Sequence, residues 1–460
     1  MTMNFNNDTI VAVSTPHGMG GIAVIRVSGD KAINMVSTRW KGAKLTTMPS
    51  HTAHLGHILD SQGELLDQVV LTLFKAPNSF TGEDVIEISC HGSPWIQQQL
   101  VTTLIDAGCR AAAGGEFTQR AFGNGKMDLS QAEAIADVIA SSSRASHRVA
   151  MNQMRGAFSR QLAGLRSQLL QFVSLIELEL DFSEEDVSFA DRSKLTGLAT
   201  SIQAVITSLA HSYRNGNVIK NGLPVAIIGQ TNAGKSTLLN ALLHDDKALV
   251  SDIRGTTRDV IEDTIVLGGT LFRFIDTAGI REAQDQIESM GIERTFKKLD
   301  EAQLVLWVID ATDDAHDIKA FAQLIVPHCK GKQLIPVINK LDLMQPGKEK
   351  ALQPLLDDPI YISAKGGSNM EQLQQRIIEA AALPEVNDDA LIVTNARHYE
   401  ALTRAGAAIA RSINGLTSGI SGDFVSQDIR ECMHYLGEIT GEISTDDILG
   451  EIFSHFCVGK

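Results

Sequence analysis

One eight-residue motif, Gly229-Gln230-Thr231-Asn232-Ala233-Gly234-Lys235-Ser236, constrains the fold of this chain more than any other feature. It directly follows the apolar run Val225–Ile228 and precedes the helical run Thr237–Leu243. In that context glycines let backbone N–H groups curl around phosphates, Lys235 reaches the β/γ oxygens and Ser236 can ligate magnesium. The order of strand, loop and helix favours a P-loop over a glycine-rich turn that binds nothing.

Two later loops indicate which base accompanies those phosphates. Asn339-Lys340-Leu341-Asp342 follows the apolar run Leu334–Ile338, and Ser363-Ala364-Lys365 follows Ile360–Ile362. A carboxylate at Asp342 can accept hydrogen bonds from the ring N–H and amine of guanine, whereas adenine would leave it unpaired. Asn339 and Lys340 would support the base and the loop, and the Ser363–Lys365 backbone would donate to the guanine carbonyl. The sequence therefore predicts GTP and disfavours a metabolic ATPase.

Two segments between these loops have the composition of hydrolysis switches. Asp276-Thr277-Ala278-Gly279 ends a predicted strand, where Asp276 can hold a magnesium-bound water and the Gly279 N–H can sense a γ-phosphate. Ser251–Asp259 occupies the place of a first switch, with Thr257 as a magnesium ligand. Ile280 cannot orient water as a Gln would, so another residue must do so. The candidates are Arg281, Glu282 and Glu288 in the following segment. From the residues alone, the simpler interpretation of Glu288 is a solvated carboxylate on a helix.

The predicted nucleotide site is therefore spread over five segments of the chain. Its residues are Gly229, Asn232, Ala233, Gly234, Lys235, Ser236, Thr237, Ser251, Asp252, Ile253, Arg254, Gly255, Thr256, Thr257, Asp276, Thr277, Ala278, Gly279, Asn339, Lys340, Asp342, Ser363, Ala364 and Lys365.

The 460 residues are enough for about three domains. Short β-rich runs and the predicted helix Pro94–Ala107 indicate an α+β domain over 1–124. Apolar stripes at helical spacing, one from Phe158 to Phe172 and one from Leu195 to Leu209, predict a helical domain over 125–220. Strands alternate with helices over 221–384, which is typical of a doubly wound parallel sheet. Residues 385–460 again have a helical pattern, so we expect one helical domain that is interrupted by an inserted α/β domain.

Composition excludes several classes of protein. Hydrophobic residues make up 43% and charged residues 21%, as in ordinary globular proteins, so disorder and coiled coil are disfavoured. The formal net charge of −15 argues against indiscriminate binding to nucleic acid, because such binding depends on cations. Five scattered cysteines support neither a disulfide framework nor a zinc site. With no apolar run long enough for a bilayer, we expect a cytoplasmic protein without membrane contact.

Several motifs together resemble the tRNA-modification GTPase family MnmE (TrmE). They include the P-loop with Asn232, Gly255-Thr256-Thr257-Arg258-Asp259, and Asp276–Gly279 followed by an apolar residue. Outside the α/β segment they include Asn78–Asp84, His91-Gly92, Gly114–Thr118, Ala121-Phe122 and the terminal Phe456-Cys457-Val458-Gly459-Lys460. The resemblance covers the whole chain and implies a multidomain fold with an α+β folate-binding-like domain, an all-α domain and an inserted P-loop GTPase domain.

The resemblance also implies ligands. Magnesium would be held by Ser236 and Thr257, and potassium by Asn232, Ser251, Ile253 and Thr256, while Glu288 would position water. A tetrahydrofolate derivative, 5,10-methylene or 5-formyl, would contact Arg26, Glu83, Lys126 and Lys460. Without the resemblance, Arg26 and Glu83 would most simply be an ordinary surface pair. Arg281 and Cys457 are further catalytic candidates, and Cys457 could equally be a structural thiol.

The function implied is potassium-dependent GTP hydrolysis by a homodimer. With an FAD- and NADH-using partner similar to MnmG (GidA), in a heterotetramer or larger complex, it would add an aminomethyl or carboxymethylaminomethyl group to C5 of the wobble uridine of certain tRNAs. Methylene-tetrahydrofolate would supply the carbon. The alternative is a regulatory GTPase that binds RNA or assists ribosome assembly without modifying RNA, although no RNA-binding module is evident.

Overall fold

The structure is a computed structural model that describes residues 8–181, 192–243, 249–250, 263–275, 296, 299–381, 391–443, 446–454, 456 and 459. The chain divides into two compact units. One consists of Met1–Ala136, Gln153–Ala190 and Ser421–Lys460, and the other of Asp137–Asn152 and Asp191–Ile420.

The strands and helices of the described residues are numbered in chain order. The strands β1 to β14 are Ile10–Val13, Ile22–Ser28, Trp40–Lys41, Thr52–Leu59, Leu65–Phe74, Val85–His91, Arg110–Ala111, Leu223–Ile228, Leu249–Val250, Asp263–Leu267, Thr270–Phe274, Leu304–Asp310, Gln333–Asn339 and Ile360–Tyr361. The α-helices α1 to α14 are Ala32–Ser37, Pro94–Asp106, Glu116–Gly123, Leu129–Ala140, Arg144–Met154, Ala157–Asp181, Arg192–Asn221, Lys235–Leu243, Ala315–Ile325, Lys348–Leu352, Met370–Ala381, Ala396–Ser418, Gly422–Thr440 and Asp446–Ser454.

The first unit contains a seven-stranded sheet in the order β3-β4-β5-β6-β2-β1-β7. Its pairs are antiparallel except for β1 and β7 at one edge. In β5, Val69, Leu71 and Leu73 are buried, because successive side chains of a strand point to opposite faces. Helix α2 covers this face with Leu100 and Leu104. The predicted α+β character of the N-terminal region is confirmed, and the predicted helix from Pro94 ends at Asp106.

The second unit contains another seven-stranded sheet, in the order β14-β13-β12-β8-β11-β10-β9. The five strands β14, β13, β12, β8 and β11 run parallel to one another. Strands β8 and β12 are buried along their whole length, as expected for central strands covered on both faces. The predicted P-loop follows β8, where the strand order reverses and α/β sheets bind their ligands.

One edge of this sheet differs from the predicted parallel arrangement. Strands β9 and β10 run antiparallel to their neighbours, and β10 joins β11 through the two-residue turn Gly268-Gly269. A parallel connection needs a crossover of about a dozen residues, so a two-residue turn forces a hairpin. Both glycines have positive φ, 57° and 81°, which suits such a turn.

Helices on the two sides of the α/β segment pack together in two pairs. In the first unit α6 packs against α13, with ion pairs Arg166–Glu442 and Arg430–Glu177. In the second unit α7 packs against α12, where the rings of Tyr213 and Tyr399 stack with centroids 4.7 Å apart. The two predicted apolar stripes lie inward. The buried members are Phe158, Leu162, Leu165, Leu169, Phe172, Leu195, Ile202, Ile206 and Leu209, while Leu198 and Val205 are half-buried.

Candidate functional site

At two positions, the loop between β8 and α8 has a backbone conformation that favours glycine. Gly229 has φ +150°, and a Cβ there would lie 2.2 Å from the carbonyl oxygen of Val308. Gly234 has φ +94°, and its Cβ would lie 2.2 Å from Nδ2 of Asn339. The loop is therefore held against the ends of two neighbouring strands, in the tight turn that a phosphate cradle needs.

The polar side chains of this loop lie at the N-terminus of α8. Ser236 and Thr237 are exposed in its first turn, and Asn232 is exposed with a left-handed φ of 64°. The ammonium group of Lys235 donates to the carbonyl oxygens of Gly229 at 2.9 Å and Gln230 at 2.7 Å. The Lys235 ammonium group and the backbone N–H groups at the N-terminus of α8 are suited to bind a polyphosphate. The Ser236 hydroxyl is suited to ligate the magnesium ion that accompanies the polyphosphate.

The side chain of Asn339 connects the P-loop to the Ser363–Lys365 segment. Asn339 ends β13 and is 3% exposed. Its Nδ2 donates to the Ala233 carbonyl at 3.0 Å, and its Oδ1 accepts from the Ala364 N–H at 3.0 Å. Three loops that are distant in sequence are thus fixed to one another by a single amide group.

Asp342 is exposed, and its Oδ1 accepts a hydrogen bond of 2.6 Å from the Ser363 hydroxyl. This hydrogen bond is the main cause that lowers the pKa of Asp342, with smaller help from Lys365 and Lys340. The group is therefore an acceptor at neutral pH, as recognition of guanine requires. The backbone N–H groups of Ser363, Ala364 and Lys365 are predicted to donate to the guanine carbonyl. In the structure, the Ala364 N–H donates to the Asn339 side chain and the Ser363 N–H donates to the Ser368 carbonyl at 3.2 Å.

Sequence reasoning missed Asp310, which ends β12 opposite Asn339 in the parallel register. It is 8% exposed and forms an ion pair with Lys340. Its other oxygen accepts from the backbone N–H of Thr312 at 2.9 Å and from the Thr312 hydroxyl at 2.8 Å. Burial would raise the pKa of Asp310, but the hydrogen bonds from Lys340 and Thr312 outweigh it and lower the pKa. The one feature of the sequence that could have indicated Asp310 is its position at the end of a predicted apolar strand.

In the first unit, Arg26 lies on β2 between two aromatic rings. Its guanidinium carbon is 5.2 Å from the ring centroid of Phe80 and 5.7 Å from that of Phe117. It pairs with Glu87 at 2.8 Å, and its Nη1 lies 3.5 Å from the Gly459 carbonyl oxygen. The C-terminal segment therefore reaches Arg26, which is predicted to contact folate. A half-buried guanidinium group is suited to bind a carboxylate of such a ligand.

The two other described members of the predicted folate site have different partners. Glu83 accepts from Ser28 at 2.7 Å and pairs with the buried Arg120 at 3.1 Å. Lys126 is exposed and donates to the Pro77 carbonyl at 2.9 Å. The alternative that Arg26 and Glu83 form a surface pair is wrong, because Glu87 stands directly opposite Arg26 in the sheet.

Several predicted site residues lie outside the described residues. They are Ser251, Asp252, Ile253, Arg254, Gly255, Thr256 and Thr257 of the first switch, Asp276, Thr277, Ala278, Gly279, Arg281 and Glu288 of the second, and Cys457 and Lys460 at the C-terminus.

Comparison with known proteins decides the family. Residues 9–126 match the model described as GTP-binding protein TrmE N-terminus, and residues 129–457 match the MnmE helical domain. The chain belongs to the MnmE/TrmE family. Similar proteins named tRNA modification GTPase MnmE come from Bacteroides thetaiotaomicron, 57% identical over 99% of this chain and 100% of the relative, and from Parabacteroides distasonis, 55% identical over 98% and 100%. The MnmE relative from Flavobacterium johnsoniae is 49% identical over 99% of this chain and 100% of its own length.

A solved structure of Era with MgGDPNP and a segment of 16S ribosomal RNA is 30% identical over 40% of this chain and 66% of that chain. Its TM-score is 0.26, which is too low to support an inference about this MnmE family member. Among the helices of the described residues, none combines the length and the apolar character needed to cross a membrane.

Proposed function

We propose that this chain hydrolyses GTP in a potassium-dependent manner and takes part in tRNA modification. Within that role it acts as a homodimer with an FAD- and NADH-using partner similar to MnmG, and the complex adds an aminomethyl or carboxymethylaminomethyl group to C5 of the wobble uridine of certain tRNAs. Methylene-tetrahydrofolate donates the carbon. The names of the full-length relatives support the tRNA-modifying GTPase role, and a cytoplasmic location accords with it.

The observation that carries the GTPase proposal is the connection of the P-loop, through Asn339, to the loop that holds Asp342. The phosphate cradle and the base acceptor are thereby fixed before a nucleotide arrives, which reduces the ordering cost of binding. Lys235 and the N–H groups around Gly234 would hold the phosphates, and Asp342 would accept from the guanine amine and ring N–H. Magnesium, held by Ser236 and Thr257, would neutralise phosphate charge.

The proposed potassium ion would bind at the same loop. Asn232 is exposed beside the phosphate cradle, so its amide oxygen is available to a cation, with Ser251, Ile253 and Thr256 as the further ligands. A cation there would supply the charge that an arginine finger supplies in other GTPases, which is worth about 10³–10⁵-fold in rate. Glu288 would position the attacking water, because Ile280 has no polar group to do so.

The folate part of the proposal rests on Arg26 and on the C-terminal segment beside it. Arg26, Lys126 and Lys460 would bind the carboxylates of a tetrahydrofolate derivative, and Glu83 would accept from pterin nitrogens. Both carboxylate oxygens of Glu83 already accept protein hydrogen bonds, but a carboxylate has lone pairs for more. Cys457 lies two residues before Gly459, whose carbonyl oxygen is near Arg26.

The test measures GTP hydrolysis by the full chain in potassium and in sodium at equal ionic strength. We expect turnover to be much faster in potassium, and Asn232→Ala to lose most of this difference. Thr231→Ala is the matched control, because Thr231 is exposed in the same loop, and should keep the potassium response. Equal turnover in the two salts would contradict potassium dependence, and absence of GTP hydrolysis in both would contradict the GTPase proposal itself.

A further inference from the structure

The Asp310 carboxylate occupies a place that the predicted nucleotide contacts do not explain. It lies at the end of β12, between the end of β8 that begins the P-loop and the end of β13 that begins the base-recognition loop. Both of its oxygens are engaged, one by Lys340 and the other twice by Thr312. A carboxylate that is 8% exposed and hydrogen-bonded through both oxygens has one well-defined orientation.

The partner of this carboxylate is a residue with an unfavourable backbone. Lys340 has φ 63° and ψ 41°, the left-handed conformation that lysine rarely adopts. Such a conformation persists only when the surrounding structure fixes it. The backbone restraints are the N–H of Leu341, which donates to the Ile362 carbonyl at 3.0 Å, and the Lys340 carbonyl, which accepts from Leu343 at 2.8 Å. The ion pair with Asp310 is the restraint on its side chain.

The left-handed turn at Lys340 determines where its neighbours point. Asn339, directly before it, bonds to Ala233 in the P-loop and to Ala364. Asp342, two residues after it, bonds to Ser363. If residue 340 relaxed to an ordinary backbone conformation, these two side chains could no longer keep their present directions together.

We propose that Asp310 is a positioning residue for guanine recognition, because it anchors Lys340 in the left-handed conformation that aims Asn339 and Asp342. This inference deepens the proposed function and rests on guanine-nucleotide binding. Because Asp310 would fix the direction of the Asp342 carboxylate, changing it should affect both the affinity for GTP and the discrimination between bases.

Asp310→Asn tests this with no change in volume. The new amide can keep one acceptor for Thr312, but its NH₂ group would face the Lys340 ammonium, donor against donor. We expect the affinity for GTP to fall about tenfold, equivalent to about 1.4 kcal/mol. The preference for GTP over inosine triphosphate, which lacks the exocyclic amine, should fall several-fold. Asp317→Asn is the control with the same charge change, since Asp317 is an exposed residue of α9 that pairs only loosely with His316 at 3.5 Å.

A second variant separates positioning from general stability. Lys340→Asn removes the ammonium group and places at 340 a residue that tolerates left-handed φ. In that background, Asp310→Asn should cause little further loss of affinity or of base preference, so the two effects are not additive.

Fluorescence titration of the full-length variants with labelled GTP, competed by unlabelled GTP, inosine triphosphate and ATP, gives every quantity needed. A normal ratio of GTP to inosine triphosphate affinity in Asp310→Asn would overturn the proposal, whether or not the affinity itself falls. Additive losses in the double variant would overturn it too. If the unaltered chain bound ATP as well as GTP, the proposed function would fail separately from this inference.

Discussion

Asn339 and Asp342 lie three residues apart in one short loop and have separate roles. Asn339 is buried and its side-chain amide bonds to the backbones of Ala233 and Ala364, whereas Asp342 is exposed and its carboxylate is available to a ligand. We therefore expect Asn339 to set the framework of the site and Asp342 to set the choice of base. Changing Asp342 should alter specificity while the loops keep their connection.

We predict that Asp342→Asn moves the preference of the site from guanine to xanthine nucleotides. Xanthine carries a carbonyl where guanine carries its amine, so it needs a donor where guanine needs an acceptor. The affinity for GTP should fall about ten- to hundredfold, since the guanine donors lose their charged partner. Competition titrations with GTP, xanthosine triphosphate and ATP measure this.

Asp357→Asn is a suitable control for that substitution, because Asp357 is an exposed aspartate of the same unit. It should leave all three affinities unchanged. Undiminished preference for GTP in Asp342→Asn would show that another group reads the base.

At the residue scale, the sequence predicted the positions of residues that belong to recurring motifs. Gly229 and Gly234 lie in the loop between β8 and α8, and Asn339 and Asp342 lie at the end of β13 and just after it, as the motif spacing predicts. Their contacts with a nucleotide stay a prediction. Asp310 was not predicted, since a single aspartate after a strand has no spacing rule to distinguish it. Its importance depends on the register of β12 against β13, which places it opposite Asn339.

At the scale of elements, the first unit is held together by a buried charge network around Arg120. Its side chain is 2% exposed and contacts Asp8 at 2.7 Å, Glu116 at 3.0 Å and Glu83 at 3.1 Å. These residues connect the start of β1, helix α3 and the segment before β6. Burial would lower the pKa of Arg120, but the three carboxylates outweigh it and raise the pKa.

We predict that Arg120→Met destabilises the first unit by roughly 3–5 kcal/mol at pH 7, because Glu83 loses its ion pair and Asp8 and Glu116 keep only the exposed Arg110 as a counter-charge. Urea unfolding measures this through Trp40 and Trp95, both in the first unit, with Trp307 of the second unit replaced by Phe. Arg155→Met removes an exposed guanidinium of the first unit and should change the midpoint little. A loss of under about 1 kcal/mol would contradict the assigned role of the network.

The same network makes a prediction about pH. Burial would raise the pKa of Asp8 and Glu116, but Arg110 and Arg120 outweigh it and lower both values below the ordinary 3.8 and 4.5. The stability they contribute is therefore present above those ordinary values and is lost as the pH falls through the lower folded-state values. The difference between Arg120→Met and the unaltered chain should stay nearly constant from about pH 7 to about pH 5 and shrink as the pH falls below the ordinary values. A difference that stays constant below those values as well would argue against a charge effect.

Elements with a clear apolar period were predicted well. The two apolar stripes have clear helical spacing, and the helices that carry them are present. The β-rich runs Ile10–Val13 and Val85–Ile88 predict strands, which the structure has at Ile10–Val13 and Val85–His91. Strand β4, Thr52–Leu59, was missed because its polar and histidine residues hide the alternation. The hairpin of β10 and β11 was missed as well, although Gly268-Gly269 signals a two-residue turn.

At the scale of the whole molecule, the C-terminal segment returns to the N-terminal strands. The Gly459 carbonyl accepts from the Ser14 hydroxyl at 3.0 Å, and a Cβ at Gly459 would lie 2.3 Å from the Val13 carbonyl oxygen. Gly115 is packed equally closely, since its Cβ would lie 2.7 Å from the Phe453 carbonyl oxygen. Residues at the two ends of the chain thus meet within one unit, while the nucleotide loops belong to the other.

This separation was only partly predictable. The interrupted helical pattern predicted that an α/β segment is inserted between chain regions that pack together, and the helix pairs confirm that packing. Which helix pairs with which could not be read from amphipathic stripes, because any two apolar faces of similar length are compatible. The domain boundaries themselves remain a prediction.

We expect the tRNA-modifying activity to need both the GTP site and the C-terminal residues. Mass spectrometry of wobble-uridine nucleosides tests this most directly, in cells whose own gene for this chain is deleted and that express one of three forms of it or none. The unaltered chain should restore the C5-substituted uridine. Asp342→Asn should not restore it, and deletion of Cys457–Lys460 should abolish it while GTP hydrolysis by the purified protein continues. C5-substituted uridine at an unchanged level in cells without the chain would contradict the account.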